Sequence, residues 1–253
     1  MATRAATKKR TRHAAGSVLS VGGLDVHVVR KQIKNLHLGV YPPLGRVRVA
    51  VPAAMTDTAV RLAVICKLGW IKRQRAQFAA QPRETRRDMV NGESHYFQGR
   101  RYRLRLLPNQ PAARVRVVGA ATLEMAVTKG ATRQKREAVL NQWYRDQLKA
   151  LVPPLMAQWQ RILGVEARNW GIQRMKTKWG SCNPDTKRVL LNLELAKKLP
   201  DCLEYLVVHE LTHLLERRHN DRFIALMDEH LPKWRQHQKA LTAEPLGHED
   251  WKY

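Results

Sequence analysis

The chain of 253 residues has only three cysteines, and none lies at a spacing that suggests a partner. Cys66, Cys182 and Cys202 are odd in number and far apart, which excludes a disulfide framework of the kind that stabilises small secreted proteins. No uninterrupted apolar run reaches about 18 residues, and the amino terminus lacks the apolar segment of a secretory signal. We therefore expect neither a signal peptide nor a membrane span, and we predict a cytoplasmic protein.

Acidic residues are also scarce. The chain has 21 Asp and Glu against 46 Lys and Arg, which gives a net charge of +25 and a pI of about 10.7. A balance so far from neutral predicts a polyanionic partner such as nucleic acid, with a charge that serves only solubility as the alternative. The excess is concentrated in residues 1–80, which contain 15 basic and 2 acidic residues, whereas residues 201–253 contain 7 and 10.

The first half of the chain divides into a tail and a region of short strands. Residues 1–16 combine low hydrophobicity with clustered positive charge, and they are predicted to be a disordered basic tail. Residues 17–130 alternate apolar and polar side chains over short segments, which predicts a basic, antiparallel β-rich region with arginine on its outer face. The clearest strand segments are Leu24–Val28, Leu36–Val40, Val47–Val51, Tyr102–Leu106, Val115–Val117 and Leu123–Val127.

Helical spacing dominates the second half, residues 131–253, which we interpret as a compact catalytic domain. A helix is predicted from Thr132 to about Leu163, broken or kinked at Pro153-Pro154. Two strands, Gly171–Met175 and Val189–Leu193, are predicted to follow, joined through a turn-rich loop at residues 178–184. The fold class is therefore α+β, and no repeat of solenoid length is evident.

The segment His209-Glu210-Leu211-Thr212-His213 is the most informative motif. On a helix, His209 and His213 lie one turn apart on the same face, with Glu210 beside them. Neutral imidazoles suit zinc, and a zinc site with an open position activates a water, from which Glu210 would take a proton. Asp201 and Glu204 form a D-x-x-E arrangement typical of a capping box, which predicts the start of this helix.

The third metal ligand is less certain from the sequence alone. We choose His219, six residues after His213, although extended zinc-protease motifs place a turn glycine where this chain has Glu216. A carboxylate from Asp228 or Glu229 on the following segment is the alternative, and two unconnected histidines on a helix surface are the other. Cys182 and Cys202 have no partner spacing, so we assign them small buried apolar roles.

Two separate motifs together resemble the YgjP-like metal-dependent hydrolases, which are related to the SprT and WLM zinc peptidases. They are Lys178-Trp179-Gly180-Ser181-Cys182 and the H-E-x-x-H segment followed by His219-Asn220 and Phe223. Leu191-Asn192-Leu193, Pro200 and Gly69-Trp70-Ile71 also match, so that the likeness covers roughly residues 20–241.

The resemblance implies a zincin-like catalytic domain in which His209, His213 and His219 bind zinc and Glu210 is the base. It also implies that the strand Val189–Leu193 lines the cleft and offers an edge to an extended peptide. The Trp179-Gly180-Ser181-Cys182 turn is expected near that cleft, and we interpret Trp179 as packing and Gly180 as turn geometry. Members are generally described as metallopeptidases, but the name UTP pyrophosphatase is also attached to the group.

Three functions follow from these observations. The leading hypothesis is a zinc-dependent metallopeptidase that acts on peptide or protein, with the basic amino-terminal region contacting nucleic acid. A nucleotide pyrophosphatase that uses the same metal centre to hydrolyse UTP is the first alternative. The second is a nucleic-acid-binding protein with a structural metal site, in which Arg103, Arg105, Arg114 and Arg116 form a basic sheet face and the aromatic residues Tyr96, Phe97 and Tyr102 stack on bases.

Overall fold

The computed structural model describes residues 16–41, 45–80, 87–175 and 178–243. Its contacts divide the chain into two compact units, Met1–Gln81 and Pro82–Tyr253. The predicted tail, apart from Gly16, lies outside the described residues. Strands dominate the first part of the chain and helices the second, which confirms the α+β class.

A mixed four-stranded sheet and two helices form the first unit. The elements are β1 (Ser17–Val21), β2 (Leu24–Lys31), β3 (His37–Tyr41), β4 (Arg46–Pro52), α1 (Asp57–Ile65) and α2 (Leu68–Ala80). The strand order is β1-β2-β4-β3, in which the central pair β2 and β4 is parallel and the outer pairs are antiparallel. The prediction of a purely antiparallel sheet is wrong here, because alternation shows which face of a strand is buried but not which strand lies beside it.

The core of the first unit explains its alternating sequence. Val26 and Val28 of β2 and Val49 of β4 are completely buried on one sheet face. Val60 and Val64 on α1 belong to the same apolar cluster. Helix α1 starts at Asp57 because Thr56 is its N-cap, and the Thr56 hydroxyl accepts a hydrogen bond from the Ala59 backbone N–H at 3.3 Å.

A second four-stranded sheet opens the other unit. Its strands are β5 (Ser94–Phe97), β6 (Arg100–Leu107), β7 (Arg114–Val118) and β8 (Thr122–Ala126). Their order, β5-β6-β8-β7, again has a parallel pair at its centre and an antiparallel pair on each side. The two sheets therefore share one strand topology, which the sequence does not reveal.

The remaining elements complete the second unit. They are α3 (Arg133–Leu163), β9 (Asn169–Gln173), β10 (Gly180–Asn183), β11 (Arg188–Asn192), a short 3-10 helix (Leu193–Lys197), α4 (Pro200–Thr212), α5 (Asp221–His230) and α6 (Trp234–Ala243). Helix α3 continues through Pro153 and Pro154, with Val152 and Met156 buried on either side of them. The packing of this apolar face holds the helix together where local sequence predicts a break.

The structure places the domain boundary at residue 81, whereas the sequence predicts it at residue 130. Leu104 on β6 and Leu123 on β8 belong to the same apolar core as Leu140 and Tyr144 on α3. The Tyr144 hydroxyl also donates a hydrogen bond to the backbone carbonyl of Tyr96, at 2.7 Å. The second group of strands therefore belongs to the same unit as α3 and not to the amino-terminal one.

The third sheet has three strands in the order β10-β11-β9. Strand β11 lies in the middle, antiparallel to β10 and parallel to β9. Part of the predicted loop at residues 178–184 is thus the edge strand β10. Among the described residues, no helix is long and apolar enough to cross a membrane.

Candidate metal centre

Helix α4 carries the H-E-x-x-H sequence, and most of its side chains are buried. Pro200 lies in its first turn. Backbone N–H groups in the first turn have no partner within the helix, so a proline there costs no helical hydrogen bond. The predicted capping box is wrong, since the N-cap residue is Leu199 and no side chain caps the helix. Glu204 instead accepts a hydrogen bond from the indole N–H of Trp159 at 3.0 Å, which ties α4 to α3.

The first two imidazoles lie at the carboxyl end of α4. His209 is inside the helix, and His213 is its C-cap residue. The backbone carbonyl of Glu216 lies 3.1 Å from Nδ1 of His213, and the Tyr205 hydroxyl lies 3.5 Å from Nδ1 of His209. These contacts engage the Nδ1 atoms and leave each Nε2 available as a metal ligand.

The third predicted imidazole, His219, lies beside the other two. Its Nε2 is 3.1 Å from Nε2 of His209, and a set of ligand atoms from the three histidines lies within 4.8 Å of one another. The turn between His213 and His219 contains no residue with positive φ, which explains why Glu216 is tolerated where a glycine is expected. The structure therefore brings together all three residues that the sequence selects.

A single buried aromatic ring supports the cluster. Phe223, on α5, is 2% exposed, and its ring centroid lies 5.0, 4.8 and 4.7 Å from those of His209, His213 and His219. Asn220 is the N-cap of α5 and accepts a hydrogen bond from the Phe223 backbone N–H at 3.0 Å. The cap fixes the first turn of α5, and this places the ring against the three imidazoles.

Burial favours the neutral form of His209 and His213. It lowers the pKa of His209 to about 3, with a further contribution from the neighbouring His213 and His219. Burial also lowers the pKa of His213, although the Glu216 carbonyl opposes this shift. Neutral imidazole is the form that binds a metal, so the donor set fits a zinc ion.

The alternative carboxylate ligands do not join the cluster. Asp228 accepts a hydrogen bond from the Trp234 indole at 2.7 Å and pairs with the Arg235 guanidinium. The Arg235 hydrogen bond holds the pKa of Asp228 below its ordinary value. Glu229 is exposed on α5. Among the described residues, the only group of three or more metal-binding side chains consists of the three histidines.

Glu210 is buried beside the imidazoles. Its side chain is 4% exposed, and its Oε2 atom has no hydrogen-bond partner among the described residues. Burial raises its pKa to about 8, and the nearby Lys178 ammonium opposes the rise. A carboxyl group in this state is suited to accept and release a proton near neutral pH.

Gly180 makes room for that carboxyl group. A Cβ atom at position 180 would lie 2.5 Å from Oε1 of Glu210. Gly180 is in strand β10 and does not have a positive φ, so the expected reason for this glycine, turn geometry, is wrong. The glycine is needed for space.

An open cleft of about 430 Å³ connects these groups. Lys178 and Arg217 add positive charge to its wall, and Cys182 lines it with a thiol whose pKa is raised to about 11 by burial and by Glu210. Such a thiol is not a nucleophile at neutral pH. The full lining is Lys178, Gly180, Ser181, Cys182, Asn183, Pro184, His209, Glu210, His213, Arg217 and His219.

Strand β11 does not offer the edge that the family resemblance implies. Hydrogen-bonded neighbours occupy both of its sides, and none of its residues lines the cleft. The edge strand at the cleft is β10, whose residues Gly180–Asn183 all line it. Sequence reasoning predicts β10 to be a loop because Gly180, Asn183 and Pro184 all lie in this short segment.

Asn192 is a supporting residue whose role the sequence does not show. It is completely buried, and its amide donates hydrogen bonds to the backbone carbonyls of Met175 at 2.9 Å and Lys178 at 2.7 Å. Its Oδ1 atom accepts from the Glu194 backbone N–H at 3.2 Å. Asn192 thereby holds the segment that leads into β10. The sequence signal that could have identified Asn192 is an asparagine at the end of an apolar strand, because a buried amide needs hydrogen-bond partners.

The remaining predicted residues lie away from the metal centre or support it. Trp179 packs against the apolar core, with the Lys198 ammonium 5.5 Å from its ring centroid, in agreement with the packing role. Cys202 is buried, as expected, whereas Cys182 is only half-buried. His95 is buried against Glu93, outside the cleft.

None of the curated proteins matches the chain. The crystal structure of the metallopeptidase zymogen abylysin from Pyrococcus abyssi is similar to part of it, with 18% identity and a TM-score of 0.34 over 36% of this chain and 90% of that one. A family model described as YgjP-like, metallopeptidase domain, matches residues 34–244. Since this match covers most of the chain, the protein belongs to the YgjP-like metallopeptidase-domain family.

Proposed function

We propose that the protein is a zinc-dependent metallopeptidase in which His209, His213 and His219 hold the metal and Glu210 is the general base. The observation that carries this proposal is the meeting of three imidazoles and one buried carboxyl group at a single cleft. When bound there, zinc would activate a water, polarise a substrate carbonyl and favour the ionised form of Glu210.

The residues of the chain divide the remaining work. Glu210 takes a proton from the attacking water and passes it to the leaving amine, which its raised pKa and unbonded Oε2 support. Gly180 and Asn192 are positioning residues, because one leaves space for the carboxyl group and the other holds the strand beside it. The Lys178 ammonium lines the cleft and favours the ionised carboxylate.

The peptide substrate is proposed from the position of β10. Among the described residues, this strand pairs with β11 on one side and with no strand on the other. An extended peptide would add to this free edge through backbone hydrogen bonds and lie along the cleft.

The test compares zinc-loaded wild-type protein with two variants. We expect wild-type protein to cleave an unfolded protein substrate such as casein. Glu210→Gln should keep stoichiometric zinc and lose at least about a hundredfold in kcat, because its amide cannot take the proton. His213→Ala should lose both zinc and cleavage. A wild-type protein that binds zinc but cleaves no protein, with or without nucleic acid, contradicts the proposal.

A second arm of the same experiment addresses nucleotides. Lys178 and Arg217 are cations at the cleft, and they would also suit nucleotide phosphates. Release of pyrophosphate from UTP, lost in His213→Ala and unaccompanied by protein cleavage, would establish the pyrophosphatase in place of the peptidase.

We also propose that the outer face of the β5–β8 sheet binds single-stranded nucleic acid. Six arginines and no acidic residue lie between positions 100 and 118. Arg103, Arg105 and Arg116 are exposed, and Arg105 and Arg116 both pair with the buried Glu124, whose pKa they hold below its ordinary value. Guanidinium groups suit phosphate contacts, so this face supports binding to a nucleic-acid backbone.

The aromatic part of that prediction needs a correction. Phe97 and Tyr102 are buried at 8% and 6% exposure, because they alternate onto the core side of their strands. Tyr96 is 37% exposed, on the strand position opposite Arg101. One aromatic residue, and not three, is therefore available for stacking.

Charge-matched variants test this surface. Arg101→Gln with Arg114→Gln should weaken binding of a labelled oligonucleotide about tenfold and reduce the salt dependence of binding, as followed by fluorescence anisotropy. The control pair Arg161→Gln with Arg168→Gln removes the same charge elsewhere in the unit and should have little effect. Equal loss in both pairs would indicate only nonspecific attraction to a basic protein.

The three cysteines, Cys66, Cys182 and Cys202, are free thiols. A set of free thiols supports the proposal that the protein works in the reducing cytoplasm.

A further inference from the structure

A second cavity, of about 320 Å³, lies in the catalytic unit and shares no lining residue with the metal cleft. Four cationic side chains line it: Arg87 before β5, Arg133 on α3, Arg174 directly after β9 and Lys197 in the 3-10 helix. Its volume is at the small end of the range for ligand pockets. The cavity therefore has the size of a small molecule and a strongly charged wall.

Positive charge exceeds negative charge in this wall. The two lining carboxylates are Glu137 and Glu194. Glu137 is shared by Arg133 and Arg174, each at 3.3 Å, and Glu194 pairs with Lys197 at 2.7 Å. Arg87 forms no ion pair with any carboxylate in the part of the chain that the structure describes. Four cations and two carboxylates therefore line the cavity, and the Arg87 guanidinium pairs with neither carboxylate.

One side of helix α3 lines the cavity over its first three turns, from Arg133 to Tyr144. The first turn carries Arg133, Lys135 and Arg136 and has no acidic residue. Partial positive charge already accumulates at the amino end of a helix, so cations there reduce helix stability. Of these three cations, Arg133 lines the cavity, where a bound anion would offset part of this unfavourable charge.

We propose that this cavity binds a small molecule through a phosphate group. A phosphate offers several charged oxygens in a tetrahedral arrangement, so that cations from four different chain segments can each donate to one of them. A single carboxylate has two oxygens and would satisfy fewer of them. The site does not depend on the metal centre or on the proposed peptidase activity.

Two variants with opposite expected effects test the proposal. Zinc-loaded full-length protein is titrated with inorganic phosphate at constant ionic strength, and binding is followed by calorimetry. We expect saturable binding at one site. Arg87→Gln removes the cation that has no ion pair and should weaken binding at least about tenfold, since a charge-assisted hydrogen bond is lost. Glu137→Gln removes a competing negative charge and should tighten binding about threefold or more.

Controls separate this site from other phosphate binding. Phosphate bound at the metal centre would respond to neither change, because neither residue lines the metal cleft. Arg161→Gln, on the exposed end of α3, lowers the net charge equally and should leave binding unchanged. A parallel titration with ribose 5-phosphate distinguishes a phosphate ester from free phosphate as the preferred ligand.

The same data can overturn the proposal. Phosphate that fails to saturate, or that binds Arg87→Gln and Glu137→Gln as it binds wild-type protein, would show that these cations form only structural ion pairs. Circular dichroism of both variants establishes that they are folded before the comparison is made.

Discussion

Glu210 occupies a position that opposes its own ionisation. It is almost completely buried, and burial raises its pKa from 4.5 to about 8. Gly180 lies beside its carboxyl group, where a Cβ atom would come within 2.5 Å of Oε1. Such a group reduces the stability of the metal-free fold at neutral and alkaline pH, which is common for catalytic residues.

The stability of the metal-free protein should therefore depend on Glu210 and on pH. Between pH 4.5 and about 8 the folded protein holds a proton that the unfolded chain releases, so the free energy of unfolding falls as pH rises. Glu210→Gln removes this loss, and we expect it to be more stable than wild type by roughly 5 kcal/mol above pH 8, with little difference at pH 4. Urea denaturation after zinc removal measures this difference.

Glu229→Gln, at an exposed position on α5, is the control for the lost carboxyl group. A gain of stability in Glu210→Gln that does not change with pH would mean that the pKa of Glu210 is not raised.

Gly180→Ala should affect catalysis more than metal binding. The added methyl group would lie 2.5 Å from Oε1 of Glu210, so the carboxyl group has to move. We expect kcat to fall at least about tenfold while zinc content, measured by atomic absorption, stays at one ion per chain.

Gly171→Ala is a suitable control, because Gly171 lies in β9, at the opposite edge of the same sheet, and its new Cβ would meet a leucine side chain at 3.3 Å. Full activity in Gly180→Ala would show that the position of Glu210 does not depend on this glycine.

At the scale of elements, the metal centre depends on how one buried strand end is held. Strand β11 ends at Asn192, whose amide reaches the backbone of Met175 and Lys178. Met175 follows β9 and Lys178 precedes β10, so Asn192 holds both ends of the connection between these strands. Strand β10 forms one wall of the cleft. The helix supplies the imidazoles, whereas the sheet supplies the strand that faces them.

Asn192→Ala should lower both stability and activity. It leaves the Met175 and Lys178 carbonyl groups without the amide donor of a buried side chain, which is expected to reduce the free energy of unfolding by about 1–3 kcal/mol. The segment before β10 would lose its anchor, so kcat should fall even where the protein remains folded and zinc-bound. Thermal denaturation and zinc analysis of the same sample separate the two effects.

Asn91→Ala provides the comparison, because Asn91 accepts a hydrogen bond from the Leu106 backbone N–H in an exposed position outside the cleft. If both variants lose equal activity, Asn192 has no special link to the metal centre.

At the scale of the whole molecule, each of the two units has an apolar core of its own. The cluster around Val26 and Val49 contains residues of the first unit only, and the cluster around Leu140 and Leu211 contains residues of the second only. All three histidines, Glu210 and the second cavity belong to the second unit.

A fragment of residues 82–253 is therefore expected to fold and to bind zinc without the first unit. Its core is complete, since no residue of that cluster lies before position 82. We expect a cooperative thermal transition, one zinc ion per chain and hydrolysis of short peptides. An unfolded fragment, or a folded one without zinc, would show that the first unit is required for the metal centre.

How far the sequence predicts this protein depends on how local each feature is. The predicted strands Leu36–Val40 and Val47–Val51 lie within one residue of β3 and β4, because alternation acts over a few residues. The predicted capping box fails because the helix already begins at Pro200, before Asp201, and Glu204 instead accepts a hydrogen bond from Trp159, far away in sequence. The edge strand is misplaced for the same reason, since strand order is a property of pairing across the sheet.

The sequence by itself determined the chemistry of this protein. Helical spacing selects His209 and His213, the nearby His219 completes the donor set, and the count of charges predicts a basic surface. Only the tertiary structure decided which groups surround that chemistry, namely the backbone of Gly180 against Glu210, the ring of Phe223 beneath the imidazoles and four cations around a second cavity. These contacts join residues that are distant in the chain, and packing between elements, which no local pattern encodes, brings them together.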